Sequence, residues 1–303
     1  MKKVNVLLSA YNGEKYINEQ IDSILNQTWK NITLYVRDDG STDGTMDILK
    51  DYESKGQIVL IEGKNVGFIE SFFDLMLYCG DADYYAFADQ DDYWLPEKIG
   101  NAIEMMNLED NEKPLLYFSN YDFCNSDLKF VSHSSPVGHK VETSFANSLV
   151  DCTPLGFNMV FNDAARKCVI SRKPKYSCGH DWWMYMVCQG LGTVIYDDRV
   201  SVKYRRHGNN VSIGGKGFIS SLKWRFNKFF VNNYFASVRK MIREFAYYYQ
   251  YDLKPEDRKI LVLLAQKKYN PLIAIRKAFY FTRFRRNIAD EIFVRIIFLL
   301  GKM

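Results

Sequence analysis

The chain has 303 residues, of which 47% are hydrophobic and 25% charged, a fraction ordinary for a globular core; that length allows one α/β domain of roughly 200 residues with an appendage, or two domains. Charge is spread unevenly. From Gly214 to Met303, 19 Lys and Arg stand against 6 Asp and Glu, leaving 21 against 30 before it. An acidic body joined to a basic, aromatic-rich tail points to an anionic surface as the tail's partner. No segment approaches the length needed to span a bilayer, and Ile292 to Leu300 is cut by Arg295.

Met1 to Leu8 has two lysines but only a short apolar run, so it reads as a first strand and not a signal peptide. Val4 to Ala10 is that strand, and Ile17, Ile21, Ile24 and Leu25 place a helix over Glu14 to Asn26. The alternation continues with strand Ile32 to Val36, helix Asp43 to Tyr52 and strand Ile58 to Ile61. Helix Phe68 to Tyr78 and strand Tyr84 to Ala88 follow. Such alternation implies a parallel sheet flanked by helices. The six cysteines form no Cys-x-x-Cys pair and no zinc spacing, which reads as reduced thiols in a cytosolic setting. Without an export signal, the glycosylation-like matches at Asn26, Asn31 and Asn210 carry no weight.

The turns after the strands carry the chemistry. Ser9-Ala10-Tyr11-Asn12-Gly13 offers an aromatic ring that can stack on a flat base. Arg37-Asp38-Asp39-Gly40-Ser41-Thr42-Asp43-Gly44-Thr45 puts two acids before a glycine turn, where a carboxylate can accept the imide N–H of uracil or thymine. Lys64-Asn65-Val66-Gly67 permits close backbone approach to a ligand. Phe87-Ala88-Asp89-Gln90-Asp91-Asp92-Tyr93-Trp94 concentrates three carboxylates at the carboxyl end of the fourth strand, where open α/β sheets keep their ligand crevices. Asp89 and Asp91 alternate on an extended turn and point to one side, a geometry for one hard divalent cation, Mg²⁺ or Mn²⁺ rather than zinc. Neither Gly-x-Gly-x-x-Gly nor Gly-x4-Gly-Lys-Ser/Thr occurs, which argues against dinucleotide and P-loop folds.

Taken together, Val6 to Gly13, the Asp38 to Thr45 run, Asn65-x-Gly67 and Asp89 to Trp94 resemble the family 2 glycosyltransferases, inverting enzymes with the GT-A nucleotide-diphospho-sugar transferase fold. The resemblance covers about residues 3 to 213. It implies an α/β catalytic domain over residues 1–213, with a mostly parallel central sheet, and a helical basic and aromatic extension over 214–303. A donor nucleotide would be held by Tyr11, one or both of Asp38 and Asp39, and Asn65, with Ser9, Gly67 and Gln90 completing that site. Asp89 to Asp91 would be the DXD element, Asp89 near ribose and metal, Asp91 the direct ligand of Mg²⁺ or Mn²⁺.

The second half supplies the acceptor side. Thr153 to Phe161, with Gly156 in its turn, is similar to the segment lining the acceptor pocket in that family. Gly179-His180-Asp181-Trp182-Trp183 opens an apolar helical run to Cys188, with Asp181 in its first turn. The family carries its catalytic base in an Asp or Glu followed by Asp; Asp181 matches the second position and His180 replaces the first. His-Asp-Trp-Trp resembles the rhamnosyltransferase branch, as does Tyr204-Arg205-x-His207-x-x-Asn210. By that analogy His207 approaches the metal or diphosphate, Arg205 or Arg206 adds positive charge, and Trp182 and Trp183 belong to the acceptor side.

In the tail, Phe218, Leu222, Phe226, Phe229 or Phe230, Tyr234, Val238, Met241 and Phe245 recur at three- and four-residue steps, with Lys223, Arg225, Lys228, Arg239, Lys240 and Arg243 between them. That is an amphipathic basic helix or helix pair, serving as a membrane foot or as a lid or homodimer surface. The expectation is a peripheral enzyme on the inner face of the cell membrane. It would transfer L-rhamnose from dTDP-L-rhamnose, or a sugar from a UDP-hexose or UDP-HexNAc, to a lipid-linked or growing surface polysaccharide. A sugar-nucleotide-binding protein without catalysis is the rival; a nucleic-acid binder is disfavoured because the acidic body repels phosphates.

Overall fold

The computed structural model describes residues 1–135, 141, 143–207 and 234–303. The tail positions Phe218 to Phe230, the expected boundary at 213/214 and Asn210 lie outside the described residues. The chain divides into two compact units, one of Met1–Val141, Pro154–Lys173 and Gly179–His207, the other of Glu142–Thr153, Pro174–Cys178 and Gly208–Met303. Two short segments of the body thus belong with the tail, a division no composition shift marks.

In the first unit the elements run β1 (Val4–Ala10), α1 (Ile17–Leu25), β2 (Ile32–Asp38), α2 (Thr45–Ser54), β3 (Val59–Glu62), α3 (Phe68–Tyr78) and β4 (Tyr84–Asp89). They continue with β5 (Tyr93–Trp94), α4 (Lys98–Met106), β6 (Leu115–Cys124) and β7 (Phe130–His133). In the second unit lies α5 (Phe145–Ser148). A 3-10 turn at Gly156–Asn158 leads into β8 (Met159–Asn162), then α6 (Asp163–Ser171), α7 (His180–Leu191) and β9 (Thr193–Arg205). One sheet has the order β3-β2-β1-β4-β8-β6-β9-β5, with β7 on β6. Its β3-β2-β1-β4 half is parallel. β8 runs antiparallel to both β4 and β6, and β9 pairs parallel with β6.

Parallel strands with both faces covered are apolar throughout, and Val4, Val6, Leu7, Leu8 and Ala10 of β1 are all fully buried. Ile17, Ile21 and Ile24 fall on one face of α1 and pack against Val6, Leu8 and Ala10 in the main core. Burying those three side chains contributes roughly 5–8 kcal/mol, more than the helix propensity of nine residues could. A charge at Ile21 would therefore detach α1.

Register decides where the turns fall. Ala10 lies opposite Asp38, Ser9 opposite Asp89, and Asp38 opposite Glu62, so all four strands end at one edge. The two-residue β5 pairs with β9 through Tyr93 with Lys203 and Trp94 with Val202. That short ladder brings the end of β9 to the acids just before β5.

The second unit holds α8 (Tyr234–Tyr249), α9 (Pro255–Leu264), α10 (Pro271–Ala278) and α11 (Ile288–Leu299). Asn270 and Asn287 cap α10 and α11 by accepting two backbone N–H groups each. Val238, Met241, Ile242 and Phe245 of α8 are buried, as Val294, Ile297 and Phe298 of α11 are. No helix among the described residues is long and apolar enough to cross a membrane.

Candidate active site

The edge turns are tied to one another by side chains. Gln90 accepts from Tyr11 N (2.8 Å) and donates to Tyr11 O (2.9 Å), so its amide locks the first turn to the acidic turn. Asn12 Oδ1 accepts from Thr42 N, and Glu14 accepts from Gly44 N, joining the first turn to the second. Asp38 accepts from Gly40 N, Ser41 N and Ser41 Oγ. Asp39 accepts from Arg37 Nη1, Val66 N and Gly67 N, joining the second turn to the third. Each acid thus spends three of its roughly four acceptor sites inside the protein. A base reaching Asp39 meets an acceptor already shared. Gly40 (φ +79°) and Gly67 (φ +83°) occupy the left-handed region these turns require. Ser9 Oγ lies 2.6 Å from Ser71 Oγ. Tyr11, 45% exposed, and exposed Asn65 are among the residues that face solvent on this rim.

Beside them sit the acids. Asp91 Oδ2 and His207 Nε2 are 2.7 Å apart, and the Tyr16 ring packs against the imidazole at 5.0 Å. Asp89 retains some exposed surface, yet its carboxyl is pushed up to about 8, first by loss of hydration and then by Asp91 and Asp181. Asp92 is buried, its Oδ1 accepting from Arg205 N while Oδ2 has no partner among the described residues. Burial, Asp89 and Asp91 hold that carboxyl well above the usual range. Lys98 is buried too, its ammonium 4.6 Å from the Trp94 ring, and burial brings it down to about 7 while Asp92 opposes the fall. Nothing in the helical pattern after Pro96 marks Lys98 as an interior cation.

Arg205 corrects one expectation. Its guanidinium is 2% exposed and turned inward, where Nε donates to Asp91 O (2.8 Å), Nη1 to Ser126 O (2.5 Å) and Nη2 to Glu19, over the Tyr16 ring at 4.4 Å. It holds the acidic turn in place and does not face a diphosphate. Arg206 is exposed, stacked on Phe123 at 3.8 Å.

On the acceptor side, Asp181 Oδ2 accepts from Gly156 N (3.2 Å) and Oδ1 from Trp182 N (2.8 Å), which fixes the carboxylate in the first turn of α7. His180 is buried in an aromatic sandwich, stacked on Phe72 (3.9 Å, 21°) and edge-on to Phe87 (4.6 Å, 89°). Burial pushes its imidazole down to about 4 against a smaller opposing effect of Asp181, and neither ring nitrogen has a partner among the described residues. It serves as a neutral packing ring beside Gly156, where an added Cβ would come within 2.9 Å of its Nε2. Trp182 and Trp183 are 5% and 0% exposed. The acceptor role expected of them is corrected by burial, since neither presents a surface to a second substrate. Seven consecutive buried residues, Trp182 to Cys188, were the available signal: a helix apolar all round is interior.

The parallel half-sheet, the antiparallel β8 beside it and an acid-lined carboxyl edge define a nucleotide-diphospho-sugar transferase of GT-A type. Residues 5–167, just over half of the chain, match the model of glycosyl transferase family 2, and the chain belongs to that family. It is 28% identical to the dTDP-rhamnosyl transferase RfbG of Shigella flexneri over 97% of this chain and 99% of that one. It is 35% identical to an Escherichia coli relative, UDP-Glc:alpha-D-GlcNAc-diphosphoundecaprenol beta-1,3-glucosyltransferase WfaP, over 40% of this chain and 47% of the other, less than half its length. Among solved structures it is similar to S. aureus TarS 1-349 in complex with UDP-GlcNAc (TM-score 0.60, 14% identity, 99% and 81% covered). It is also similar to the mannosyltransferase PcManGT from Pyrobaculum calidifontis in complex with GDP-Man and Mn2+ (TM-score 0.53, 14% identity, 99% and 74% covered). At those identities the two structures speak for the fold alone.

Proposed function

We propose that this protein transfers a sugar from a nucleoside diphosphate to a hydroxyl of a lipid-linked or growing surface polysaccharide, with inversion at the anomeric carbon. The single observation carrying the reading is that Asp181, Asp89, Asp91 and His207, distant in sequence, converge at one sheet edge: Asp181 and Asp91 both act on the Asp89 carboxyl, and Asp91 meets His207. Tyr11 and Asn65 line the nucleotide end of that edge. An acceptor hydroxyl is too weakly acidic to attack at neutral pH, and Asp181, held by Gly156 N and Trp182 N, takes its proton. Attack from the side of Asp181 expels the nucleoside diphosphate on the opposite face, which inverts the centre.

An oxygen and a nitrogen donor side by side, Asp91 and His207, support the reading of a divalent cation here. Among the described residues no three His, Cys, Asp or Glu side chains form a ready-made metal cage. Asp91 oxygen and His207 nitrogen already lie within one ligand span, with Asp89 close enough to feel Asp91. Mg²⁺ and Mn²⁺ sites of this kind take few protein ligands and complete their shell with substrate phosphates and water. Asp91 and His207 would hold the ion, with the expected third ligand Asp89 outside a ready-made set, and the ion would supply charge neutralisation for the departing diphosphate. The similarity to RfbG along nearly the whole chain supports dTDP-L-rhamnose as donor; the match to WfaP supports a UDP-hexose as second reading.

A peripheral position on the membrane is supported by apolar side chains left exposed in the second unit, Leu272, Ile275 and Phe279 along α10 and Ile288, Ile292 and Ile296 along α11. Asp181→Asn tests the chemistry. Turnover falls by on the order of 10² to 10⁴ while donor affinity persists; turnover at the parental rate in that variant removes Asp181 from its role.

A further inference from the structure

In the second unit a cleft opens between α8, the segment after α9, α10 and the end of α11. Arg239 and Arg243, one helical turn apart on α8, line it with Lys267, Lys268 and Lys277, and no acidic side chain does. Lys277 is 4% exposed, and its ammonium donates to Met303 O (3.2 Å), an oxygen of the terminal carboxylate, and to the carbonyl Leu264 O (3.5 Å). Arg243 donates to Ala265 O and Gln266 O, and Arg239 to Gly301 O. The carbonyl bonds orient the two arginines without neutralising them, and one terminal carboxylate stands against the five cations. Like-charge crowding shows in their acidity: burial, then Arg243 and Arg239, bring Lys277 down to about 8, and Arg239 is lowered by burial and Arg243.

Three acids of this unit are engaged elsewhere, and no Asp or Glu lines the cleft. Glu244 accepts from Lys175 N and Tyr176 N, Glu291 pairs with Arg295, and Asp151 pairs with Arg285. Enclosed cations ordinarily pair with an acid, because an uncompensated charge away from water is costly. Here two half-buried arginines and two exposed lysines gather with buried Lys277 around one concave space with no acidic side chain, the arginines offering the planar forks suited to a tetrahedral oxyanion.

We infer that this cleft is a binding site for a phosphate group, borne either by a membrane lipid headgroup or by a soluble phosphate compound. The inference does not rest on the sugar-transfer reading, and its test reads no turnover.

The full chain is titrated calorimetrically with inorganic phosphate at fixed ionic strength, and separately sedimented with phosphatidylcholine vesicles with and without phosphatidic acid. Arg239→Gln and the exposed pair Lys267→Gln/Lys268→Gln are compared after their melting curves match the parent. Removing one charge-assisted contact weakens binding roughly tenfold or more. Saturable uptake of free phosphate that both variants weaken supports the site with a soluble source. Binding only to the phosphatidic acid vesicles, again weakened by both variants, supports it with a headgroup source. If Arg239→Gln unfolds, the double lysine variant alone decides, because its side chains are exposed. The inference falls if the parent binds neither probe, or if binding is the same in the variants, as it would be for phosphate held at the acid-lined edge of the first unit.

Discussion

Replacing Arg205 by Met separates two roles for a side chain whose sequence context suggested contact with a diphosphate. The guanidinium gives Asp91 O and Ser126 O a charged donor each and reaches Glu19 with a third nitrogen. Glu19 is 56% exposed, so that ion pair contributes under about 1 kcal/mol. The two carbonyls are the larger loss, on the order of 1–3 kcal/mol each once left without a donor. Met recovers some packing over Tyr16 and removes the cost of holding a charge away from water, which offsets part of the loss. The net is about 3 kcal/mol, or a fall of roughly 6–10 °C in the unfolding midpoint. Scanning calorimetry on the variant measures the midpoint, and initial rates below it measure the Michaelis constant for the donor. A midpoint equal to the parent's together with a donor Michaelis constant raised many-fold would refute the inward clamp and return Arg205 to the diphosphate.

His180 makes the fold acid-sensitive in a defined window. Its folded value near 4 lies below the ordinary 6.5, so the unfolded chain binds the extra proton, and stability is lost as pH falls from about 6.5 to 4, by up to roughly 3 kcal/mol. Urea midpoints of parent and His180→Phe across pH 4 to 7 check this; parallel curves dismiss it. Gly192→Ala sets a Cβ 1.7 Å from Pro114 O, whose carbonyl accepts from Thr193 N at the start of β9, and should cost about 3 kcal/mol or more. Soluble yield and melting at the parental level would show that the β6 entrance gives way. Stripping divalent ions with a chelator should abolish turnover and Mn²⁺ restore it, with Asp91→Asn needing a higher ion concentration for half-maximal rate. Full speed after chelation disposes of the metal.

The parallel half of the sheet could be read from the chain because each of its elements is local. An apolar run, a polar turn and a helical stripe follow one another, and β1, α1, α3 and β4 come within a few residues of the boundaries their patterns imply. Asp91 and His207 could be named from motifs, but their meeting could not, since it depends on pairing between β5 and β9. A charged residue next to a histidine motif looks like a ligand contact, and only the tertiary structure shows the Arg205 guanidinium turned to Asp91 O and Ser126 O. His180 occupies a position where an acid was expected, and its sandwich between Phe72 and Phe87 draws rings from two separate elements. Residues 142–153 and 174–178 join the second unit through contacts that no local pattern encodes.

Asp91 and His207 are 116 positions apart, and the two-residue ladder of β5 on β9 brings them together with the Arg205 bonds to Asp91 O and Asp92 Oδ1. In synthesis β1 to β4 precede β9, so a product that stops before β9 has Asp91 without His207. The meeting of these two side chains therefore reports late, finished folding of the first unit.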